Sequence, residues 1–119
     1  MDIFTAIKRN EISAVREIIE SRTNLDLRDM NGMTPLMVAV DYESLPIVRI
    51  LLEAKAKVDH IDKYGQTALM LAAGRGNIQI VRLLLASRAN ARLVSKSNAT
   101  AFDFAIENGH KDIGALLRG

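Results

Sequence analysis

The feature that most constrains this chain is an internal repeat with a constant step of 33 residues. The segment from Asp62 to Arg92 aligns without insertion on the segment from Asp29 to Asp59. Identical pairs at this step include Gly32 and Gly65, Thr34 and Thr67, Leu36 and Leu69, Val48 and Val81, and Arg49 and Arg82. A fixed step of this size is typical of stacked repeat proteins, because each repeat buries its apolar faces only against its neighbours.

Partial copies of the same unit flank the two internal repeats. One small residue recurs in all four copies, as Ala6, Ala39, Ala72 and Ala105, which indicates that neighbouring backbones approach closely there. The predicted organisation is one domain over residues 1–119. It consists of an N-terminal capping repeat at 1–28, internal repeats at 29–61 and 62–94, and a C-terminal capping repeat at 95–119.

Each internal copy is predicted to form a turn followed by two helices. The segment Asp29 to Gly32 has turn chemistry, with a glycine that tolerates positive φ. Thr34 occupies the position of an N-cap, and Pro35 that of the first helical residue. A break ends the first helix, and Ser44 is predicted to cap the second. The apolar face of that second helix is formed by Ile47, Val48, Leu51 and Leu52.

The remaining copies follow the same plan. Asn77 is predicted to cap the second helix of the third copy. Asn98 replaces the turn glycine in the fourth, and asparagine is the next best residue at positive φ. In that last copy we expect Phe102, Phe104 and Ile106 to be partly exposed. The predicted fold class is therefore an all-α solenoid of stacked helix–turn–helix units with β-turn tips.

The composition argues against several kinds of chemistry. Cysteine is absent, so a disulfide, a thiol nucleophile and a thiolate metal site are excluded. The two histidines, His60 and His110, lie in different copies and have no arrangement for nucleophilic catalysis. His60 lies between Asp59 and Asp62, but turn formation already explains Asp62, which disfavours a metal site there. We therefore predict no enzyme activity, no cofactor and no metal.

The repeated pattern Asp-x-x-Gly-x-Thr-Pro-Leu, then Ala, then Ile-Val-x-x-Leu-Leu, resembles the ankyrin repeat. In the second copy it is carried by Asp29, Gly32, Thr34, Pro35, Leu36, Ala39, Ile47, Val48, Leu51 and Leu52. In the third copy it is carried by Asp62, Gly65, Thr67, Leu69, Ala72, Ala73, Gly76, Ile80, Val81, Leu84 and Leu85. The resemblance covers the whole chain. It implies a non-catalytic module that binds other proteins as an adaptor, a scaffold or an inhibitor.

Two departures from the family pattern concern the forces that hold the stack. The family's His after Thr-Pro-Leu is replaced by Met37, Met70 and Asp103, so we expect packing to contribute more than hydrogen bonds between turns. The family's Gly at the end of the second helix is replaced by Arg22, Lys55 and Arg88. A left-handed conformation at these residues would cost about 1 kcal/mol. A cation at a helix C-terminus would offset roughly 0.3–1 kcal/mol, so these bases need no functional explanation.

The resemblance also implies where a partner binds. Contacts in the family come from the turn tips and the inward, concave side of the first helices, which together we call the first-helix face. The turn-tip candidates are Met30, Asn31, Met33, Lys63, Tyr64, Gln66 and Lys96, with Ser97 and Ala99. The helix candidates are Lys8, Arg9, Asp41, Tyr42, Arg75, Glu107 and Asn108, with Gly74. Tyr and Arg are over-represented among interface anchors, which favours Tyr42, Tyr64 and Arg75 over the alternative of ordinary surface residues.

Charge is unevenly spread although the net charge is only +2. Residues 1–62 carry eleven acids and eight bases, whereas residues 63–119 carry three acids and eight bases. No acid lies between Lys63 and Phe102. The asymmetry supports an alternative function, electrostatic binding of a polyanion such as nucleic acid or acidic lipid by the C-terminal half. Nucleic acid is disfavoured because, between Lys63 and Ala101, Tyr64 is the only aromatic residue that could stack on bases.

The expected partner is another protein. The first ten residues, MDIFTAIKRN, do not have the pattern expected of a secretory signal, and no apolar run is long enough to span a membrane. We therefore expect a cytoplasmic location, with a nuclear location or non-classical secretion left open. We expect a monomer, with weak self-association between acidic and basic halves as an alternative. A stripe of Arg16, Arg49 and Arg82 could meet acidic protein, phosphoinositide or nucleic acid, but a solvated face is the simpler interpretation.

Overall fold

The structure, a computed structural model, describes residues 1–118. Within this range the chain forms eight helices and no strand. The helices are α1 (Ile3–Lys8), α2 (Ile12–Glu20), α3 (Pro35–Asp41), α4 (Leu45–Glu53), α5 (Ala68–Arg75), α6 (Ile78–Ala86), α7 (Ala101–Glu107) and α8 (Lys111–Arg118). Consecutive helices pack in pairs, α1 with α2 and so on to α7 with α8. The predicted all-α repeat solenoid is confirmed.

Threonine caps begin three of the first helices. The Oγ1 atoms of Thr34, Thr67 and Thr100 accept hydrogen bonds from the backbone N–H three residues later, at 3.2–3.3 Å. The prediction for Thr34 is therefore confirmed. Met70 and Asp103 complete the cap from the other side, because each accepts the N–H of its own threonine. These two residues stand where the family has His, so that position still serves the helix start.

The second helices begin in two different ways. Asn77 caps α6 as predicted, since its Oδ1 accepts the Ile80 N–H at 3.1 Å. Ser44 stands at the N-cap position of α4, but its side chain makes no capping bond. That part of the prediction is wrong because the Ser44 hydroxyl donates to Asn10 Oδ1 in the preceding repeat, at 2.9 Å. A hydrogen bond to the preceding repeat thus replaces the capping bond at the start of α4.

Three second helices, α2, α4 and α6, end in left-handed turns at the positions where the family has glycine. Arg22, Lys55 and Arg88 have φ of 62°, 69° and 68°, although none of them is glycine. After α4, the Lys55 N–H donates to the Leu52 carbonyl and the next N–H donates to the Leu51 carbonyl. These bonds satisfy helix-end carbonyls in the manner of a Schellman motif. Asn98 has φ of 65°, which confirms that the last turn keeps its geometry without glycine.

The core lies between the stacked helices. The first helices pack in the order α1, α3, α5 and α7, and the second helices in the order α2, α4, α6 and α8. The alanines of the repeated position, Ala6, Ala39, Ala72 and Ala105, are fully buried. Leu51 and Leu84 occupy corresponding positions in α4 and α6 and are also fully buried. Each hairpin therefore depends on its neighbours to bury its apolar faces.

The turn tips are joined in a row by the main chain. Asp29 Oδ1 accepts the Asn31 N–H at 2.9 Å and fixes the turn of its own repeat. The Lys63 N–H donates to the Asn31 carbonyl, and the Lys96 N–H donates to the Tyr64 carbonyl, both at 3.0 Å. Neighbouring turns are therefore joined by hydrogen bonds although the family's His is absent. The expectation that packing contributes more than hydrogen bonds between turns did not include these main-chain bonds.

The last hairpin is partly open, as expected. Phe102 and Phe104 are half-buried, and Ile106 is exposed. The Arg118 guanidinium lies 5.5 Å from the centre of the Phe102 ring and covers part of it. None of the helices in residues 1–118 has the length and apolar character needed to cross a bilayer.

Candidate functional site

A shallow depression on the first-helix face joins the first two hairpins. Its volume is about 130 Å³, and five of the predicted binding residues line it. They are Lys8, Asn31, Met33, Asp41 and Tyr42. The Tyr42 side chain is 52% exposed and follows directly on α3. Turn tip and helix end thus belong to one surface, as the sequence resemblance implies.

A second depression lies further along the same face, between α5 and α7. Its volume is about 360 Å³, and its lining includes the predicted residues Gly74, Arg75 and Asn108. Leu71 and Phe104 also line it, although sequence reasoning did not select them. A signal was available, because they follow the buried Val38 at successive repeat steps and remain half-buried.

An ion pair connects the two depressions. Arg75 donates from Nε and Nη2 to Asp41 Oδ1, at 3.2 and 2.9 Å. The two side chains are 51% and 29% exposed, respectively. Both residues were predicted as partner contacts, and the structure shows that they also contact each other. Because the pair is accessible, its carboxylate and guanidinium keep edges free for a partner.

The turn tips expose apolar and aromatic groups. Met30 is 99% exposed and Tyr64 is 57% exposed. The Lys63 ammonium lies 5.2 Å from the centre of the Tyr64 ring, a distance at which a cation is attracted to the ring face. These three side chains can therefore contribute apolar area and positive charge at the edge of the first-helix face.

The remaining predicted residues are less organised. Arg9, Lys96 and Glu107 are exposed at their predicted places, but none lines either depression. Gln66 is half-buried because its backbone closes the turn with Asp62. These residues extend the surface without defining its shape.

Two exposed apolar residues were missed by the sequence analysis. Ile61 and Val94 lie one repeat step apart, each directly before a turn, and both are exposed. The repeat pattern alone gives no sign of their exposure. They add apolar area to the loops that carry the turn tips.

His60 takes part in a polar cluster between repeats. One ring nitrogen lies 3.0 Å from Asp26 Oδ1, and the other lies 3.0 Å from Arg28 Nη2. Arg28 also donates to the carbonyls of Gly32 and Ile61. The hydrogen bond from His60 lowers the pKa of Asp26 below its usual 3.8, with help from nearby cations. The cluster ties neighbouring loops together and explains His60 without a metal.

The neighbouring carboxylates have separate roles. Asp59 Oδ1 accepts the Asn90 N–H, and Asp62 Oδ1 accepts the N–H of Tyr64 and of Gln66. In the part of the chain that the structure describes, no three His, Asp or Glu residues are grouped as metal ligands would be.

The bases of the chain are distributed over several surfaces. A depression of about 620 Å³ near the ends of α4 and α6 is lined by Lys55, Lys57 and Arg88, together with Asp59. Two of these bases belong to the acidic half of the chain. In contrast, Lys63 lies on a turn tip and Arg75 pairs with Asp41. The bases of the acid-free stretch therefore do not gather at one site.

Stacked helical hairpins, with linked turn tips and an accessible first-helix face, define a helical repeat protein. A family model described as ankyrin repeats (3 copies) matches the chain twice, at residues 3–62 and 54–119. The chain therefore belongs to the ankyrin-repeat family. None of the curated proteins matches it. Ankyrin repeats are generally protein–protein interaction modules and are typically non-catalytic.

Proposed function

We propose that this protein binds a folded protein partner through its first-helix face and acts, without catalysis, as an adaptor, scaffold or inhibitor. The observation that carries the proposal is the Asp41–Arg75 pair, which lies between two depressions and beside the half-exposed Tyr42. Exposed Tyr and Arg side chains beside a depression are the residue types that most often anchor interfaces.

Hydrogen bonds hold the scaffold behind this face. Threonine caps fix the starts of α3, α5 and α7, and backbone hydrogen bonds link one turn tip to the next. A preorganised surface loses little conformational freedom on binding, so more of the contact energy remains as affinity. The proposed binding residues need not fold onto the partner.

Quantitative affinity purification tests the proposal. The wild-type protein, a Tyr42→Ala/Arg75→Ala variant and an Arg49→Ala/Arg82→Ala control would be compared by mass spectrometry of the captured proteins. Arg49 and Arg82 are exposed on α4 and α6, so the control removes surface residues from the second helices. We expect the first variant to lose a partner that the control retains. Equal capture by all three proteins would refute the proposal.

A second candidate is binding of a polyanion, favoured by Lys55, Lys57 and Arg88 around one depression. Such binding weakens steeply with ionic strength, because neutralised charges release counterions. A salt titration of a captured partner therefore separates the candidates. A large loss of affinity between about 50 and 200 mM salt supports the polyanion, and a modest loss supports the first-helix face.

The proposal includes a cytoplasmic monomer. The absence of cysteine suits a reducing compartment, and fractionation of the natural source would test the location. Light scattering at low and at physiological salt would test the oligomeric state. A mass that rises at low salt would support pairing of acidic and basic halves instead.

A further inference from the structure

Gly74 is the one glycine in residues 1–118 that has neither a positive φ nor a close neighbour at the position of an added Cβ. Gly32, Gly65, Gly76 and Gly109 have positive φ, and a Cβ added at Gly114 would lie 2.6 Å from Ile106 Cδ1. A Cβ added at Gly74 would meet Phe104 Cδ1 and Asn108 Nδ2 at 3.8 Å, which is ordinary contact. Glycine destabilises a helix relative to alanine. The fold therefore gains no stability from Gly74.

The absence of a side chain at Gly74 keeps the second depression open. This depression of about 360 Å³ has an apolar lining from Met70, Leu71 and Phe104. One repeat step before and after Gly74, the chain carries Asp41 and Glu107. A side chain of comparable size at position 74 would enter the depression between α5 and α7.

The edge of the depression carries unused polar groups. Arg75 engages Asp41 through Nε and Nη2, and its Nη1 makes no hydrogen bond within residues 1–118. Asn108 donates from Nδ2 to the Phe104 carbonyl at 2.7 Å, which leaves its Oδ1 free to accept. Asn108 Oδ1 and the Asp41 carboxylate are acceptors, so the free Nη1 of Arg75 is the group on this edge that can meet an anionic group beside the apolar lining.

We propose that this depression is an anchor site for one apolar side chain of the partner protein, carried by a segment whose adjacent acidic residue meets Arg75. The inference rests on the proposed function and specifies the chemistry of the partner. The apolar group replaces water against Leu71 and Phe104, while the carboxylate occupies the free edge of the guanidinium. Gly74 is then a specificity-determining residue, since any larger side chain would occupy the anchor's place.

A fragment titration tests the anchor without the natural partner. The probe is 3-phenylpropionate, and the matched neutral probe is 3-phenylpropanamide, both followed by ¹H–¹⁵N correlation spectra. We expect the carboxylate to shift the amide signals of Gly74, Arg75 and Asn108 with a Kd of about millimolar. The neutral probe should bind several-fold more weakly. Equal binding of the two probes, or shifts confined to other residues, would overturn the proposal.

Variants at position 74 then show whether a loss of binding comes from a filled depression or from an unfolded protein. Gly74→Leu should weaken the binding of 3-phenylpropionate by at least about tenfold, and Gly74→Ala should weaken this binding less. Neither should lower Tm, because both residues form helices better than glycine. Gln79→Leu on α6 adds an exposed leucine elsewhere and should leave binding unchanged. If Gly74→Leu is unstable, Gly74→Ala alone provides the test. A Gly74→Ala variant that binds 3-phenylpropionate as tightly as wild type would contradict the anchor site.

Other occupants give different results. Shifts of the same amides on raising the protein concentration, without any fragment, would assign the depression to a second copy and overturn the proposal. A fragment that fails, while Tyr42→Ala/Arg75→Ala still loses its partner, would refute the anchor and leave the proposed function standing. A fragment that binds, while partner capture is insensitive to that variant, would refute the proposed function.

Discussion

Arg75 and Asp41 are 34 positions apart and meet at the ends of neighbouring first helices, at 2.9 Å. The offset exceeds the repeat step by one residue. The same separation recurs in other lateral side-chain contacts, namely Ser44 with Asn10, Asn77 with Glu43, and His60 with Asp26. In these four contacts, each side chain therefore meets a residue one position away from its own equivalent in the neighbouring repeat.

We expect the Asp41–Arg75 pair to contribute little to folding. Its groups are accessible to solvent, and exposed ion pairs are typically worth below about 1 kcal/mol. A double-mutant cycle with Asp41→Ala and Arg75→Ala, measured by urea denaturation, should give a coupling energy below about 1 kcal/mol. A coupling of several kcal/mol would contradict this expectation and show that the pair holds the stack together.

Leu84 is predicted to be a major contributor to stability. It is fully buried in α6, so Leu84→Ala should lower the free energy of unfolding by about 2–5 kcal/mol. Chemical denaturation would measure the loss. Gln79→Ala, an exposed position on the same helix, serves as control and should change stability by less than about 0.5 kcal/mol. An unchanged melt for Leu84→Ala would contradict its place between hairpins.

Lys55 is predicted to combine backbone strain with a favourable charge. Its φ of 69° costs about 1 kcal/mol relative to glycine, and its cation at the end of α4 offsets roughly 0.3–1 kcal/mol. Lys55→Gly should therefore be as stable as wild type or slightly more stable. Lys55→Ala keeps the strain and loses the charge, so it should be the least stable of the three. Thermal melts at low salt would rank them, and an alanine variant above the glycine variant would refute this explanation.

The Asp26–His60 contact should make stability depend on pH in the acid range. The hydrogen bond from His60 lowers the pKa of Asp26 below 3.8 in the folded protein. The folded state therefore favours the ionised carboxylate, and this stabilisation is present above the unfolded pKa and lost as the pH falls through the folded one. Asp26→Asn should have a lower Tm than wild type at about pH 7, and this difference should shrink as the pH falls below 3.8. A gap in Tm that widens on acidification would contradict the assignment.

Local chemistry made much of this fold predictable from sequence. The positions of Thr34, Asn77 and Asn98 required only capping and turn preferences, which act within a few residues of chain. The repeat step then extended each local prediction to the neighbouring copies. The resemblance marked Lys55 as a position where a left-handed residue would replace the family's glycine, and Arg22 and Arg88 at the ends of α2 and α6 share that conformation.

Lateral contacts were not predictable in the same way. The bond from Ser44 to Asn10 and the pair between Arg75 and Asp41 depend on how far one hairpin is displaced against the next. The repeat step shows which positions are equivalent, but it does not show how far one hairpin is displaced against the next. Leu71 and Phe104 were missed for a related reason, since the second depression is formed between α5 and α7 of neighbouring hairpins.

The most direct test of the central claim is the Kd of the captured partner, measured by titration calorimetry. Three proteins would be compared, wild type, Tyr42→Ala/Arg75→Ala, and the second-helix control Arg49→Ala/Arg82→Ala. Binding at the first-helix face predicts a Kd at least about tenfold weaker for the first variant and little changed for the control. The reverse order, with full affinity after loss of Tyr42 and Arg75, would contradict the account.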